Sequence, residues 1–182
     1  MNTNITFTTN TSLNGANTEL TEGKKDNYFF MPYQTSQSAD VFAMARAFLS
    51  ISPMTNKKLQ KLCYYAKAWY LALYDENIIS EDFQAWVHGA VQPSLYQKYR
   101  RYGFSEIPLV TDISTIPRDF LDFSKEIFGS YGELSGDELE ILNHQEEPWI
   151  KARAGKKPWE SCTNVISEKD MKEYYRKQMN NV

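Results

Sequence analysis

The chain has 182 residues, 42% of them hydrophobic and 14% aromatic, which suits one compact domain with a tail and leaves too little length for two. With 20 basic and 23 acidic side chains its net charge is -3, which argues against a broad nucleic-acid footprint, so nucleic acid is not an expected partner. No apolar stretch approaches the roughly 18 residues of a membrane span, and the first residues lack a basic start and an apolar core, so a cytoplasmic protein without a membrane partner is expected.

Residues 1–37 are rich in Asn, Thr and Ser and read as a flexible tail, with the Tyr28-Phe29-Phe30-Met31 cluster able to dock on a partner or, by preference, on the domain expected over residues 38–182. A first helix is predicted over 39–50, with Ser38 as cap, Val41, Met44, Ala45, Phe48 and Leu49 as its apolar face and Pro53 as its stop. A second runs over 56–74 behind the cap Thr55, where Leu59, Leu62, Cys63, Ala66, Tyr70 and Leu73 form a stripe that Tyr65, Trp69 and Ala72 widen. A helix apolar around so much of its circumference belongs at the centre of the domain.

Between Ile78 and Val91 the alternation Phe83, Ala85, Val87 predicts a short extended piece or hairpin ahead of Gly89. Gln92-Pro93-Ser94 then opens a helix with Leu95, Tyr96 and Tyr99 on one face and Lys98, Arg100 and Arg101 on the other, closed by Gly103. Residues 104–117 read as an irregular connection. A helix over 118–131 carries Phe120, Leu121, Ser124, Ile127, Phe128 and Tyr131 on one side and ends at Gly132. Ser135 with Glu138 makes a capping-box pattern for a helix through Asn143 with Leu139 and Leu142 inward, and Pro148 begins a further turn. Ser167 with Asp170 resembles a cap for the last helix, whose apolar face is Met171, Tyr174 and Tyr175. The fold class that follows is mainly α: a single helical domain around a central aromatic-rich helix, with a short extended or hairpin insert.

Residues that could carry chemistry are few. His88 and His144 are the only histidines, neither in metal-ligand spacing, and His144 beside Glu146 and Glu147 reads as a histidine pinning a loop. Cys63 lies on the apolar side of its helix, where burial raises a thiol's pKa, and Cys162 sits in a polar loop, so both read as reduced thiols. Neither a nucleophile elbow nor a phosphate-binding glycine pattern occurs. No enzyme activity, catalytic residue, metal or cofactor is therefore expected.

Most of Tyr64, Tyr65, Trp69, Trp86, Tyr96, Tyr99, Trp149 and Trp159 read as core, and any left exposed would serve as interface anchors. The set expected to be exposed is Tyr99, Arg100, Arg101 and Tyr102 with the Gly89 elbow. Lys57, Lys58 and Lys61 lead the central helix and read as a solvated face, with attraction to an acidic partner as the functional alternative.

Three segments occur in a telling order: the helix from Lys58 to Ala72, the stretch Ala85-Trp86-Val87-His88-Gly89-Ala90-Val91-Gln92-Pro93, and His144-Gln145-Glu146-Glu147-Pro148-Trp149 followed by Ala152-Arg153 and Gly155. Together they resemble the Panacea domain, the SocA-like antitoxin domain, with one departure. Ala90 stands where the family usually has a proline, which frees φ and restores a backbone donor. The resemblance makes Lys58, Gln60, Lys61, Tyr65, Trp69, Trp86, His88, Gly89, Val91, Pro93, Tyr96, Tyr99, His144, Glu146, Pro148 and Trp149 the family-motif or partner-binding candidates. It implies an antitoxin of a type II toxin–antitoxin pair that binds a cognate toxin protein. Some relatives are phage-associated, and some are adaptors that deliver the toxin to a Clp-type protease. A DNA-binding autoregulator is the alternative from another class, with the weakest charge signal.

Overall fold

The computed structural model describes residues 40–179; the predicted tail, its Tyr28 to Met31 cluster, the Ser38 cap and the helix start at Ala39 lie outside them. Helix α1 runs Val41–Ile51, and its cap is Asp40, whose carboxylate accepts the Ala43 N–H at 2.8 Å. The Glu81 carboxylate also accepts the Val41 N–H, at 3.1 Å, which places a negative charge at the positive end of the helix dipole. Strand β1 (Met54–Thr55) follows Pro53, and Thr55 caps α2 (Asn56–Tyr74) by accepting from Lys58 N.

Helix α2 is the axis of the molecule, and every side chain from Leu59 to Ala72 is buried. It ends at Asp75, whose left-handed φ of 63° releases the chain. Strands β2 (Gln84–Trp86) and β3 (Gly89–Val91) form the expected hairpin, with Ala85 opposite Ala90 and Trp86 opposite Gly89. Residues 164–166 extend that sheet, since Ala85 N donates to Asn164 O and Ile166 N to Phe83 O. Helix α3 (Pro93–Tyr99) continues into a 3-10 turn, η1 (Arg100–Tyr102). Gly103 ends that turn at φ 56°, so it closes η1 and not α3 itself.

Within the connection expected to be irregular, β4 (Glu106–Ile107) pairs antiparallel with β1, and Ile107 is buried opposite Met54. Helices α4 (Arg118–Tyr131), α5 (Gly136–Asn143), α6 (Glu147–Arg153) and α7 (Glu168–Met179) complete the described residues. The capping box of α5 is present in both halves: Glu138 N donates to Ser135 Oγ and Ser135 N donates to the Glu138 carboxylate. Helices α1, α4, α5 and α7 and strand β3 all pack on α2.

Helix α7 is bound to α2 by charge as well as by apolar packing. The Lys67 ammonium, with no exposed side-chain surface, meets Glu168 at 2.7 Å and donates to the Glu81 carbonyl at 2.9 Å. At the far end, Arg176 donates to Ala72 O, and Asp75 pairs with Lys172 and Arg176. Tyr175, buried between these anchors, places its ring edge-on to Tyr65 and Trp69. No helix among the described residues is long and apolar enough to cross a membrane.

Candidate functional site

The three sequence segments that carry the resemblance meet beneath the β2–β3 hairpin. Helix α2 sends Lys61 up to the turn, and its ammonium donates to the Ala90 carbonyl at 3.0 Å. Such an approach requires glycine at position 89. Gly89 has φ +91°, and a Cβ there would lie 2.7 Å from Lys61 Cε and 2.8 Å from Asn143 Oδ1. The expectation that Lys61 belongs to a solvated face is corrected: it is 1% exposed, because a carbonyl from a distant turn satisfies it. Gly89, counted with the exposed set, is likewise buried.

Asn143, the last residue of α5, joins the second segment to the third. Its carboxamide oxygen accepts the Ala90 N–H at 2.6 Å and its amide donates to Glu146 Oε2 at 2.9 Å. Glu146 is itself buried, at 3% exposed. Burial raises its carboxyl to about 7, against the opposing pull of Asn143, of the Tyr175 and Tyr65 hydroxyls and of Lys61. Neither hydroxyl completes a hydrogen bond of full geometry, yet both face the carboxylate closely enough to favour its ionised form. Burial acts in the opposite sense on Lys61, lowering it to about 7, with Glu140 and Glu146 opposing that shift and Lys57 adding to it.

Around this centre lie further motif residues. Trp149 donates its indole N–H to Trp86 O at 3.2 Å, and the His144 ring stacks on Trp149 at 4.2 Å. Burial holds the His144 imidazole below its ordinary value. Arg153 lies over the same indole and donates to the carbonyls of Ala85, Lys157 and Glu160, tying α6 to the hairpin. Pro148 is buried in the first turn of α6. Gln60 accepts the Gln92 N–H at 2.8 Å, and Gln92 in turn caps α3 by accepting from Leu95 N, with Pro93 at the first helical position. Tyr65 stacks on Tyr131 with centroids 4.1 Å apart, and Trp69 donates to the Tyr131 hydroxyl at 2.8 Å. Val91 is buried in β3.

Other candidates sit apart from this centre. Lys58 donates to Gly132 O, the carbonyl just past α4, a favourable place for a cation. His88 is exposed, and its Nδ1 lies 3.0 Å from Glu140, which Lys57 also contacts at 2.7 Å. Tyr99 is buried at 8% exposed, against the expectation that it faces solvent, because α3 turns that residue with Leu95 toward the core. Tyr102 is half-buried, whereas Arg100 and Arg101 are exposed as expected. Tyr96 is 40% exposed and meets Trp86 edge-on at 5.2 Å.

Sequence reasoning missed Asn143 as a site residue, although it falls four positions after the inward-facing Leu139 and so on the same helix face. It also missed the burial of Lys67 and Arg153. Cys162, placed in a polar loop, is buried, its thiol 3.9 Å from Ala152 O. Cys63 is wholly buried and its thiol is pushed well above the ordinary range by desolvation. Among the described residues no cluster of His, Cys, Asp or Glu is arranged to hold a metal ion.

Chemically, the centre holds an amine and a carboxyl that both titrate near neutrality, sealed from solvent and engaged with backbone and carboxamide groups. It fixes the hairpin to α2, α5 and α6. A family model described as Antitoxin SocA-like, Panacea domain, matches residues 59–150, from α2 into α6, and overlaps all three segments. No curated protein and no solved structure gives a significant match.

Proposed function

This chain belongs to the SocA-like antitoxin family of Panacea-domain proteins, and on that premise we propose that it neutralises its cognate toxin by direct protein–protein binding. The family implies a toxin as partner in general and is not a known enzyme family. The observation that carries the binding mechanism is the use made of the motif residues. Lys61 and Glu146, the buried groups best suited to acid–base work, are bonded to the scaffold through Ala90 O and the Asn143 carboxamide, which supports a role in shaping a surface. A hairpin held this firmly presents a preordered face, which lowers the entropy lost on association.

Co-expression with the product of the adjoining reading frame tests the proposal. Rescue of growth together with a copurifying complex is the expected result, and a toxin that stays active and elutes alone would sink it. Measuring the toxin's half-life in the same cells separates occlusion from delivery to a Clp-type protease: a shortened half-life favours delivery. A promoter-fragment shift whose affinity falls steeply with salt would instead favour autoregulation.

A further inference from the structure

We infer that the outward face of α3 and η1, with Phe104 at its tip, is the docking surface for an acidic segment of the toxin that carries an apolar side chain. The inference rests on the toxin-binding function and names the chemistry of its partner. Lys98, Arg100 and Arg101 are exposed within four residues of chain, and among the described residues none of them forms an ion pair. Lys57, Lys67, Lys125, Lys151, Lys172 and Arg176 each meet a carboxylate, while among the described residues the exposed Lys156, Lys157 and Lys177, like these three, do not. In a chain of net charge -3, a group of cations left without acids is a local reversal of sign. Aromatic faces hold two of them in place, Lys98 over Phe42 at 4.3 Å and Arg101 over Tyr102 at 5.1 Å.

Phe104 supplies the apolar half. It is 99% exposed, so its ring contributes nothing to the core. It is nevertheless not on a loose loop, because Gly103 N donates to Arg100 O, Ser105 N donates to Tyr102 O, and the next residues enter the β4–β1 ladder. A large ring presented on a hydrogen-bonded turn, a few residues after three cations that form no ion pair, has the composition of a binding hot spot. The patch suits a discrete acidic segment better than a nucleic-acid backbone. Exposed Glu106 interrupts the positive charge five residues after Arg101, whereas duplex DNA presents a charge every ~1.7 Å and calls for an extended basic track.

The test uses the full-length chain, the protein encoded by the adjoining reading frame as probe, and a short DNA duplex as control, with affinities measured at low and high salt. Phe104→Ala is expected to weaken binding of that protein at least about tenfold, and Lys98→Glu with Arg100→Glu and Arg101→Glu to weaken it further and remove most of its salt dependence. Thermal unfolding of both variants should match the wild type, which separates lost docking from lost folding. Wild-type affinity in both variants would overturn the surface while leaving the toxin-binding function standing. A triple variant that loses only duplex binding would also overturn it, in favour of a nucleic-acid face. Failure of the wild type to bind the protein at all would remove the function and this surface together.

Discussion

The carboxamide oxygen of Asn143 accepts the Ala90 N–H at 2.6 Å, a bond that a proline at position 90 could not make. A donor in the turn of a buried hairpin needs an acceptor, and the end of α5 supplies it. The same carboxamide then donates to Glu146, so one side chain satisfies two segments at once. Asn143→Ala should strand the Ala90 N–H and deprive Glu146 of a donor. We expect a loss of about 2–3 kcal/mol, read from the denaturant midpoint at unchanged m-value.

Gly89 and Gly103 both have positive φ, yet their surroundings differ. A Cβ at position 89 meets Lys61 and Asn143 below 3 Å, whereas nothing lies within 4 Å of one at position 103. Gly89→Ala is therefore expected to cost about 3 kcal/mol or more, from backbone strain and from displacing Lys61 together. Gly103→Ala should cost about 1–3 kcal/mol, from backbone strain alone. Comparing the two melting temperatures checks the difference.

The buried amine and carboxyl make stability depend on pH in opposite directions. Glu146 is raised from 4.5 to about 7, so its protonated form favours the fold, and that contribution is whole below about pH 4.5 and lost as pH rises through 7. Lys61 is lowered from 10.5 to about 7, so its contribution is whole above about pH 10.5 and lost as pH falls through 7. The pair's combined contribution thus passes through a minimum near pH 7. Relative to wild type, Glu146→Gln should lack the decline between pH 5 and 7, which amounts to about 3 kcal/mol for a shift of this size. Urea midpoints measured across that interval would show two parallel curves if Glu146 were not the group responsible.

Lys67 draws its charge partner from the other end of the domain. Glu168→Ala leaves a buried ammonium with the Glu81 carbonyl alone, and a loss of about 2–4 kcal/mol is expected. Lys67→Met in the same background should recover much of that loss, since it removes the uncompensated charge. A double-mutant cycle by chemical denaturation measures the coupling.

Local signals made much of the fold legible. The Thr55 cap and the continuous stripe from Leu59 marked α2 at its true bounds, and the Ser135–Glu138 pair marked α5. Strand β4 was not legible, because two residues that pair with β1 some fifty positions earlier leave no periodic trace. The motif segments located the candidate site without revealing that they converge. Lys61 and Lys67 illustrate the reason: a lysine is read as solvated unless its acceptor is known, and Ala90 O, Glu81 O and Glu168 are all distant in sequence. Tyr99 shows the same limit, since its neighbours Lys98 and Arg100 suggested solvent while the helix turned its ring to the core.

The seating of α7 against α2 also sets the order of events at the ribosome. The axis of the fold emerges first, and the carboxylate that compensates Lys67 and the ring of Tyr175 follow it only much later in the chain. Until they leave the exit tunnel, a nascent chain carries an open seam along its principal helix. A nascent chain that stops short of residue 168 keeps that seam uncovered and open to proteases.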